Sequence, residues 1–138
     1  MSGCLIPALR YEDAPKAIEW LCRVLGFEKH LIVPGDGGRI DHAQLTLDNG
    51  MIMLGSESRD NDYGKLVTTP KHTGGKPTGS VYIVVKEIDA HYERAKREGA
   101  EIMLPIADQG RGSRLYSCRD PEGYIWDFGP YDPWAEAK

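Results

Sequence analysis

The most constraining feature of this sequence is that one order of predicted elements occurs twice. In the first half, a predicted strand at Cys4–Tyr11 precedes a helix from Ala14 to Leu25, and three further strands follow. The second half repeats this order with a strand at Ser80–Val85 and a helix from Asp89 to Glu98. Each half alone is too small to bury the face of its own sheet. We therefore interpret the repeat as a duplicated supersecondary unit; two unrelated halves of matching order are the alternative.

Glycine and turn signals delimit the predicted elements. Gly26 and Gly99 follow the last helical positions, where a left-handed residue ends a helix. Asp48-Asn49-Gly50 is a tight-turn signal between two strands. The remaining strands are predicted at Glu28–Val33, about Asp41–Leu47, Met51–Ser56, Glu101–Ile106, Ser113–Arg119 and Tyr124–Gly129.

The segment between the two halves has the composition of a connecting loop. Residues 58–79 are rich in Gly, Pro, Thr and Lys, and Pro70 and Pro77 disfavour a helix there. We predict one domain over residues 1–138, with the first half at 4–57, the loop at 58–79 and the second half at 80–131.

Composition and charge exclude several classes of protein. The chain of 138 residues is 41% hydrophobic and 28% charged, values typical of a globular domain that buries its own core. Its 17 Lys and Arg are scattered among 21 Asp and Glu, so we expect no nucleic-acid partner. No segment approaches the ~18 apolar residues of a membrane span, and the N-terminus does not resemble a signal peptide. We expect no membrane partner.

The cysteines indicate the compartment. Cys4, Cys22 and Cys118 are odd in number and have no CxxC spacing, which predicts reduced thiols at small core positions. We therefore expect a cytoplasmic protein.

A hairpin near the C-terminus carries a family resemblance. Asp120-Pro121-Glu122-Gly123 forms a turn signal within the segment GSRLYSCRDPEGYIWDF, because Pro121 fixes φ and Gly123 supplies conformational freedom. The segment resembles the last hairpin of the glyoxalase/bleomycin-resistance/extradiol-dioxygenase superfamily, also called the vicinal-oxygen-chelate superfamily. Residues Ala14–Phe27 (APKAIEWLCRVLGF) likewise resemble the first helix of that superfamily. A D-P-x-G turn also occurs in hairpins without any such relation.

The resemblance implies a fold class and an assembly. The fold class is α+β, with two βαβββ repeats forming a curved eight-stranded mixed sheet around a cavity and helices on its outer face. We also expect a homodimer, because closing cavities between subunits buries exposed strand edges.

The resemblance also implies positions at which metal ligands would lie. Relatives that catalyse reactions hold one divalent metal with His, Gln or Glu from the first and last strand of each half. Carried over by motif, these positions fall on Ile6, Met53, Ser80 and Asp127. Only Asp127 is a good ligand for such a metal. We therefore expect no metal and no other cofactor.

Polar residues near the expected cavity are candidates for binding or catalysis. His42 shares a strand face with Gln44 and is either a general base or anchor, or a hydrogen-bonded strand residue. Asp127 and His42 are the catalytic candidates. The predicted ligand-binding residues are Ile6, His42, Met53, Ser80, Arg114, Tyr116 and Asp127. His30, His72 and His91 are expected at the surface, and Trp126 and Phe128 on the helix-packing side of their strand.

Three functions are compatible with these observations. The first is metal-free binding of a small, largely apolar organic molecule, as in bleomycin-resistance proteins. The second is an enzyme of the glyoxalase-like lyase, isomerase or dioxygenase kind with an atypical or absent metal site. The third is an interaction module whose sheet serves only dimerisation.

Overall fold

A computed structural model describes residues 2–58, 60–108 and 114–136. Residues 109–112 of the predicted loop 107–112, the predicted first strand residue Ser113 and position 59 of the connecting loop lie outside the described residues. Within the described ranges, none of the helices has the length and apolar character needed to cross a bilayer.

The first half has the predicted element order. Its elements are β1 (Ala8–Tyr11), α1 (Ala14–Trp20), β2 (Glu28–Pro34), β3 (Ile40–Leu47) and β4 (Gly50–Ser56). α1 continues as a wider π-type turn over Leu21–Leu25 and ends at Gly26, whose φ is 90°. β1 is shorter than the predicted Cys4–Tyr11, because Pro7 has no N–H for a strand ladder and contributes only its carbonyl, 2.9 Å from the Met53 nitrogen.

The second half repeats this order. Its elements are β5 (Val81–Val84), α2 (Ile88–Arg97), β6 (Glu101–Asp108), β7 (Arg114–Arg119), β8 (Ile125–Gly129) and a short terminal helix, α3 (Pro133–Glu136). β6 runs two residues beyond its predicted end at Ile106. In the described part of the connecting loop, regular structure is limited to short 3-10 turns at Tyr63–Lys65 and Pro70–His72.

The eight strands form two four-stranded mixed sheets. Their strand orders are β1-β4-β3-β2 and β5-β8-β7-β6. The pairs β1–β4 and β5–β8 are parallel. The α+β class and the duplicated order are confirmed. Over the described ranges the strands form two separate sheets and not one continuous eight-stranded sheet, because β1 and β5 each pair with one neighbouring strand.

Side-chain alternation gives each sheet one buried face and one open face. Trp126 and Phe128 are fully buried beneath the helices, which confirms their predicted direction. The buried faces of both sheets contribute to one core, in which the Phe27 ring lies edge-on to Trp126 with centroids 5.8 Å apart. Of the cysteines, Cys118 is buried in this core as predicted, whereas Cys4 is exposed because it lies before β1.

A buried carboxylate joins the two halves. One oxygen of Asp120 accepts hydrogen bonds from Tyr11 Oη at 2.6 Å and from Trp126 Nε1 at 3.1 Å. The other oxygen accepts from the backbone N–H groups of Glu122 and Tyr124 within its own turn. Burial raises the pKa of Asp120, and the four donated hydrogen bonds oppose that rise. The turn that carries the family resemblance is thus fastened to the end of β1.

The same turn caps the first helix. The carboxylate of Glu122 accepts from the backbone nitrogens of Glu12 at 2.6 Å and of Asp13 at 2.9 Å. Asp13 in turn accepts from the nitrogen of Lys16 as the N-cap of α1. Glu122 therefore holds backbone donors at the start of α1 that no helical carbonyl can reach.

His91 forms a second link between the halves. The prediction that it lies at the surface is wrong, since its Nε2 lies 2.8 Å from the Leu25 carbonyl and its Nδ1 2.6 Å from Tyr116 Oη. A carbonyl only accepts, so Nε2 carries the proton and Nδ1 accepts from the tyrosine hydroxyl. Burial lowers the pKa of His91, and the positive charge of Arg94 adds to this effect.

We predict that Asp120→Asn lowers the free energy of unfolding by about 3 kcal/mol, because an amide NH2 would face donors that now meet a carboxylate oxygen. Urea unfolding followed by circular dichroism measures this change. Tyr11→Phe, which removes one of the four donors, should cost about 1–2 kcal/mol. Asp36→Asn is the matched control, because Asp36 is exposed. Equal stability of the Asp120 and Asp36 variants would contradict this role.

We also predict that His91 makes the protein sensitive to acid. Its folded-state pKa is lowered from 6.5, so its contribution is fully present above that value and is lost as pH falls below it. His91→Gln keeps a donor for the Leu25 carbonyl but cannot be protonated. Between about pH 7.5 and pH 5, the variant should therefore lose less unfolding free energy than the wild type.

The control for this measurement is His30→Gln, since His30 is exposed and the variant should retain the wild-type dependence on pH. Parallel stability curves for wild type and His91→Gln would show that His91 is not the responsible group.

Candidate functional site

The open face of the second sheet centres on Asp127. Its two carboxylate oxygens accept from Ser80 Oγ and from Ser117 Oγ, each at 2.5 Å. Ser117 lies directly opposite Asp127 in the β7–β8 ladder, and Tyr82 is its partner in the parallel β5–β8 ladder. These register pairs place all three side chains on the face that points away from the core.

The hydroxyl donors determine what Asp127 can do. Each carboxylate oxygen has one acceptor direction taken by a serine and retains capacity for another donor. The side chain is half-buried, so a donor on a bound molecule can reach it without a large loss of solvation. The group is therefore a fixed acceptor, suited to anchoring a hydrogen-bond donor or a cation.

Tyr82 lies across the same face because β8 has a glycine beside it. A Cβ on Gly129 would come within 2.8 Å of Tyr82 Oη and 2.7 Å of the Arg114 carbonyl, so a side chain would collide there. The Tyr82 hydroxyl donates to the Tyr131 carbonyl at 2.8 Å. Its ring is 37% exposed, as is Val84 two residues later on the same edge strand. The face thus combines apolar surface with one carboxylate.

The open face of the first sheet carries Met53 and the His42–Gln44 pair. Gln44 lies opposite Met53 in the β3–β4 ladder, and its Nε2 is 3.1 Å from His42 Nε2. On the edge strand β2, Leu31 and Val33 are 43% and 40% exposed. The prediction that His42 is on the side opposite the core is supported by the burial of its neighbours on β3.

Ile6, the residue predicted for the first-strand position, lies before the strand. Met53 pairs with Ala8, whereas Ile6 precedes β1 and is 39% exposed. An alanine methyl group, like the side chain of isoleucine, cannot bind a metal.

Two predicted ligand-binding residues lie on the other side of their strand. Arg114 forms ion pairs with Asp89 at 3.1 Å and Asp108 at 3.3 Å. Tyr116 is fully buried against α2. The alternation of β7 directs Ser117 toward Asp127, so these two neighbours cannot share that face. Sequence reasoning missed Ser117 and Tyr82. Tyr82 follows from counting two residues on from Ser80, whereas Ser117 requires the register between β7 and β8.

The structure does not bring the two catalytic candidates together. Asp127 belongs to the second sheet and His42 to the first. Within the described ranges, the hydrogen bonds of Asp127 are those to the two serines, and His42 bonds to Gln44. A direct proton relay between Asp127 and His42 is therefore absent from this arrangement.

A groove of about 850 Å³ runs beside the edge strand β5. Its lining includes Tyr82 and Val84 of β5, Met51 and Phe27 of the first half, and Trp134 of α3. The volume lies within the range of small-molecule sites, about 300–1,000 Å³. Asp127 is not in its lining, but Tyr82, the ladder partner of Asp127, connects the two features.

These features define a class: a duplicated βαβββ protein in which two sheets share a core and present open, partly apolar faces. A sequence profile of the Glyoxalase/Bleomycin resistance protein/Dioxygenase superfamily matches residues 6–128. The chain belongs to this superfamily.

Similar proteins agree with this assignment. The uncharacterized protein Rv0887c of Mycobacterium tuberculosis is 31% identical over 125 residues, which cover 91% of this chain and 72% of the relative. The crystal structure of TioX from Micromonospora sp. ML1 is 33% identical, with 91% of this chain and 93% of TioX covered and a TM-score of 0.72. The fosfomycin resistance protein FosX from Listeria monocytogenes has the same fold, at 14% identity, 97% coverage of each chain and a TM-score of 0.66.

The donor set on the sheets does not fit a metal of the kind found in one FosX structure, which contains Mn(II). Ala8 and Met53 supply no hard ligand from the first sheet. On the second sheet, Ser80 donates its hydroxyl to Asp127, which leaves the Asp127 carboxylate as the one hard ligand at the four positions. One such ligand is too few to hold the metal.

Proposed function

We propose that the open sheet faces bind a small, largely apolar organic molecule, with Asp127 as the polar anchor. The observation that carries this proposal is the half-buried Asp127 carboxylate, fixed by Ser80 and Ser117 and bordered by the exposed ring of Tyr82. Apolar surface with a few convergent polar atoms is typical of small-molecule sites.

Met53 and His42 extend this proposal to the first sheet. Methionine adapts its shape to irregular ligands, and the His42–Gln44 pair adds hydrogen-bonding groups beside it. Arg114 and Tyr116 are not part of the proposed site, because their side chains point to the helices. The three free cysteines support a reducing, cytoplasmic location for the protein.

We further propose that a second copy of the chain covers the open faces. Both faces are apolar and exposed at Leu31, Val33, Tyr82 and Val84. Among the strands that the structure describes, β1 and β5 each have one neighbour and so leave an open edge. Such surfaces are costly for a monomer and are usually covered by a partner. A homodimer would also enclose a ligand that one open face leaves in water.

The ligand prediction is tested by binding. A compound library is screened against the wild-type protein by thermal shift and native mass spectrometry, and the affinity of each binder is then measured for variants. Asp127→Asn and Met53→Glu should each weaken binding at least about tenfold, or about 1.4 kcal/mol. The first change removes the anionic acceptor, and the second places a charge on an apolar wall.

Asp36→Asn is the matched control for this series and should bind as the wild type does. Unchanged affinity in both site variants would place the ligand elsewhere. Turnover of the bound compound that is lost in Asp127→Asn would instead favour the enzyme alternative. Failure to find any binder for a protein that dimerises would favour the interaction module.

The assembly prediction is tested by mass. Light scattering coupled to size-exclusion chromatography should give twice the chain mass at micromolar concentration. Leu31→Asp, which places a charge on the open face, should shift the protein toward the monomer, whereas Leu66→Asp in the connecting loop should not. A wild-type monomer at these concentrations would contradict the proposed dimer.

A further inference from the structure

Two glutamates lie next to each other at one end of the first sheet. Glu12 follows β1 and Glu57 follows β4. These strands are parallel, and their last residues, Tyr11 and Ser56, are register partners. The Glu57 nitrogen also donates to the Tyr11 carbonyl at 2.9 Å, which extends the ladder by one step. The backbone therefore holds the two carboxylates as neighbours.

The connecting loop brings an imidazole to these carboxylates. His72 ends the 3-10 turn Pro70–His72, and its Nε2 lies 3.8 Å from Glu12 Oε2 and 3.8 Å from Glu57 Oε1. Both distances exceed a hydrogen bond. Ligand atoms that each lie about 2.0–2.2 Å from one metal ion are separated by about 3–4 Å. The three ligand atoms lie within 4.8 Å of one another, so small side-chain rotations suffice for a common centre.

Buried neighbours hold the loop backbone that carries the imidazole. Thr69 is 1% exposed, and its Oγ1 donates to Glu12 Oε2 at 2.9 Å. The backbone nitrogen of His72 donates to the Thr69 carbonyl at 3.0 Å. Buried Pro70 packs so closely on the turn of the last hairpin that a Cβ at Gly123 would lie 2.9 Å from it. The three ligand residues are thus held by three different parts of the fold before any ion arrives.

Exposure and charge also suit a cation. The side chains of Glu12, Glu57 and His72 are 33%, 12% and 34% exposed, which leaves one side open for water ligands. Glu12 and Glu57 contribute two carboxyl groups beside one imidazole, a donor set that favours a cation over an anion.

We propose that Glu12, Glu57 and His72 form a binding site for one divalent transition-metal ion. One imidazole and two carboxylates match the ligands preferred by ions such as Zn²⁺, with open positions filled by water. This site lies at the end of β1 and β4, apart from the open faces on which the ligand proposal rests. Its ion would fasten the connecting loop to the start of α1.

The test uses Zn²⁺ alone as the probe. Chelator-treated protein in a Cys4→Ser background, which removes the exposed thiol, is titrated with Zn²⁺ by calorimetry. We expect one equivalent per chain in the parent protein, and at least tenfold weaker binding in His72→Gln and in Glu57→Gln. His30→Gln and Asp127→Asn should bind as the parent does. Zn²⁺ should raise the thermal midpoint of the parent and leave that of His72→Gln unchanged.

Circular dichroism verifies that each variant is folded. His72→Gln and Glu57→Gln change different parts of the fold, so a local structural defect in one variant would not explain weaker binding in both. Absence of saturable Zn²⁺ binding would overturn the proposal, as would equal affinity in the parent and both ligand variants. Loss of binding in Asp127→Asn instead would place the ion on the sheet face and would also overturn it. If His72→Gln lowers stability equally with and without Zn²⁺, the cluster is an ion pair that only fastens the loop.

Discussion

The structure depends on one buried carboxylate that belongs to neither sheet alone. Asp120 accepts hydrogen bonds from the end of β1, from β8 and from the turn between β7 and β8. Glu122, two residues later, supplies the acceptors for the first backbone donors of α1. The D-P-E-G turn therefore closes the β7–β8 hairpin and also joins the two halves of the duplication. A neutral residue at position 120 would leave several buried donors without an acceptor.

The common core explains why the candidate site is open. Both sheets direct their apolar faces to the helices, and the helices of the two halves contact each other through His91 and Arg94. The opposite faces of the two sheets point away from the helices and carry the candidate site. Asp127 and Met53 then lie on separate surfaces of one chain, and a binding site that uses both needs an arrangement in which these surfaces meet.

Much of the fold could be predicted from the sequence, because its signals are local. The glycine after each helix and the alternation around Trp126 act over a few residues, and both gave the correct elements.

The errors have physical causes that are not local. Pro7 removes a ladder donor and shortens β1, so that Ile6 precedes the strand in which it was predicted. His91 looked like a surface residue because its partners Leu25 and Tyr116 are distant in the sequence. The turn at residues 120–123 fixes the position of Asp127 on its strand. The directions of the Arg114 and Tyr116 side chains depend on the strand register of β7, which the sequence does not state.

The spacing of the contacts that join the halves has a consequence for biosynthesis. The bonds from Tyr11 to Asp120 and from Glu12 to Glu122 span 109 and 110 residues. During synthesis, the first half therefore leaves the ribosome with Tyr11 lacking its carboxylate partner and with the start of α1 lacking the Glu122 cap. Non-local contacts of this kind delay folding until the distant segment is available. The N-terminal half thus completes its fold only after Asp120 and Glu122 have been made, and its apolar strands stay open to other partners during that interval.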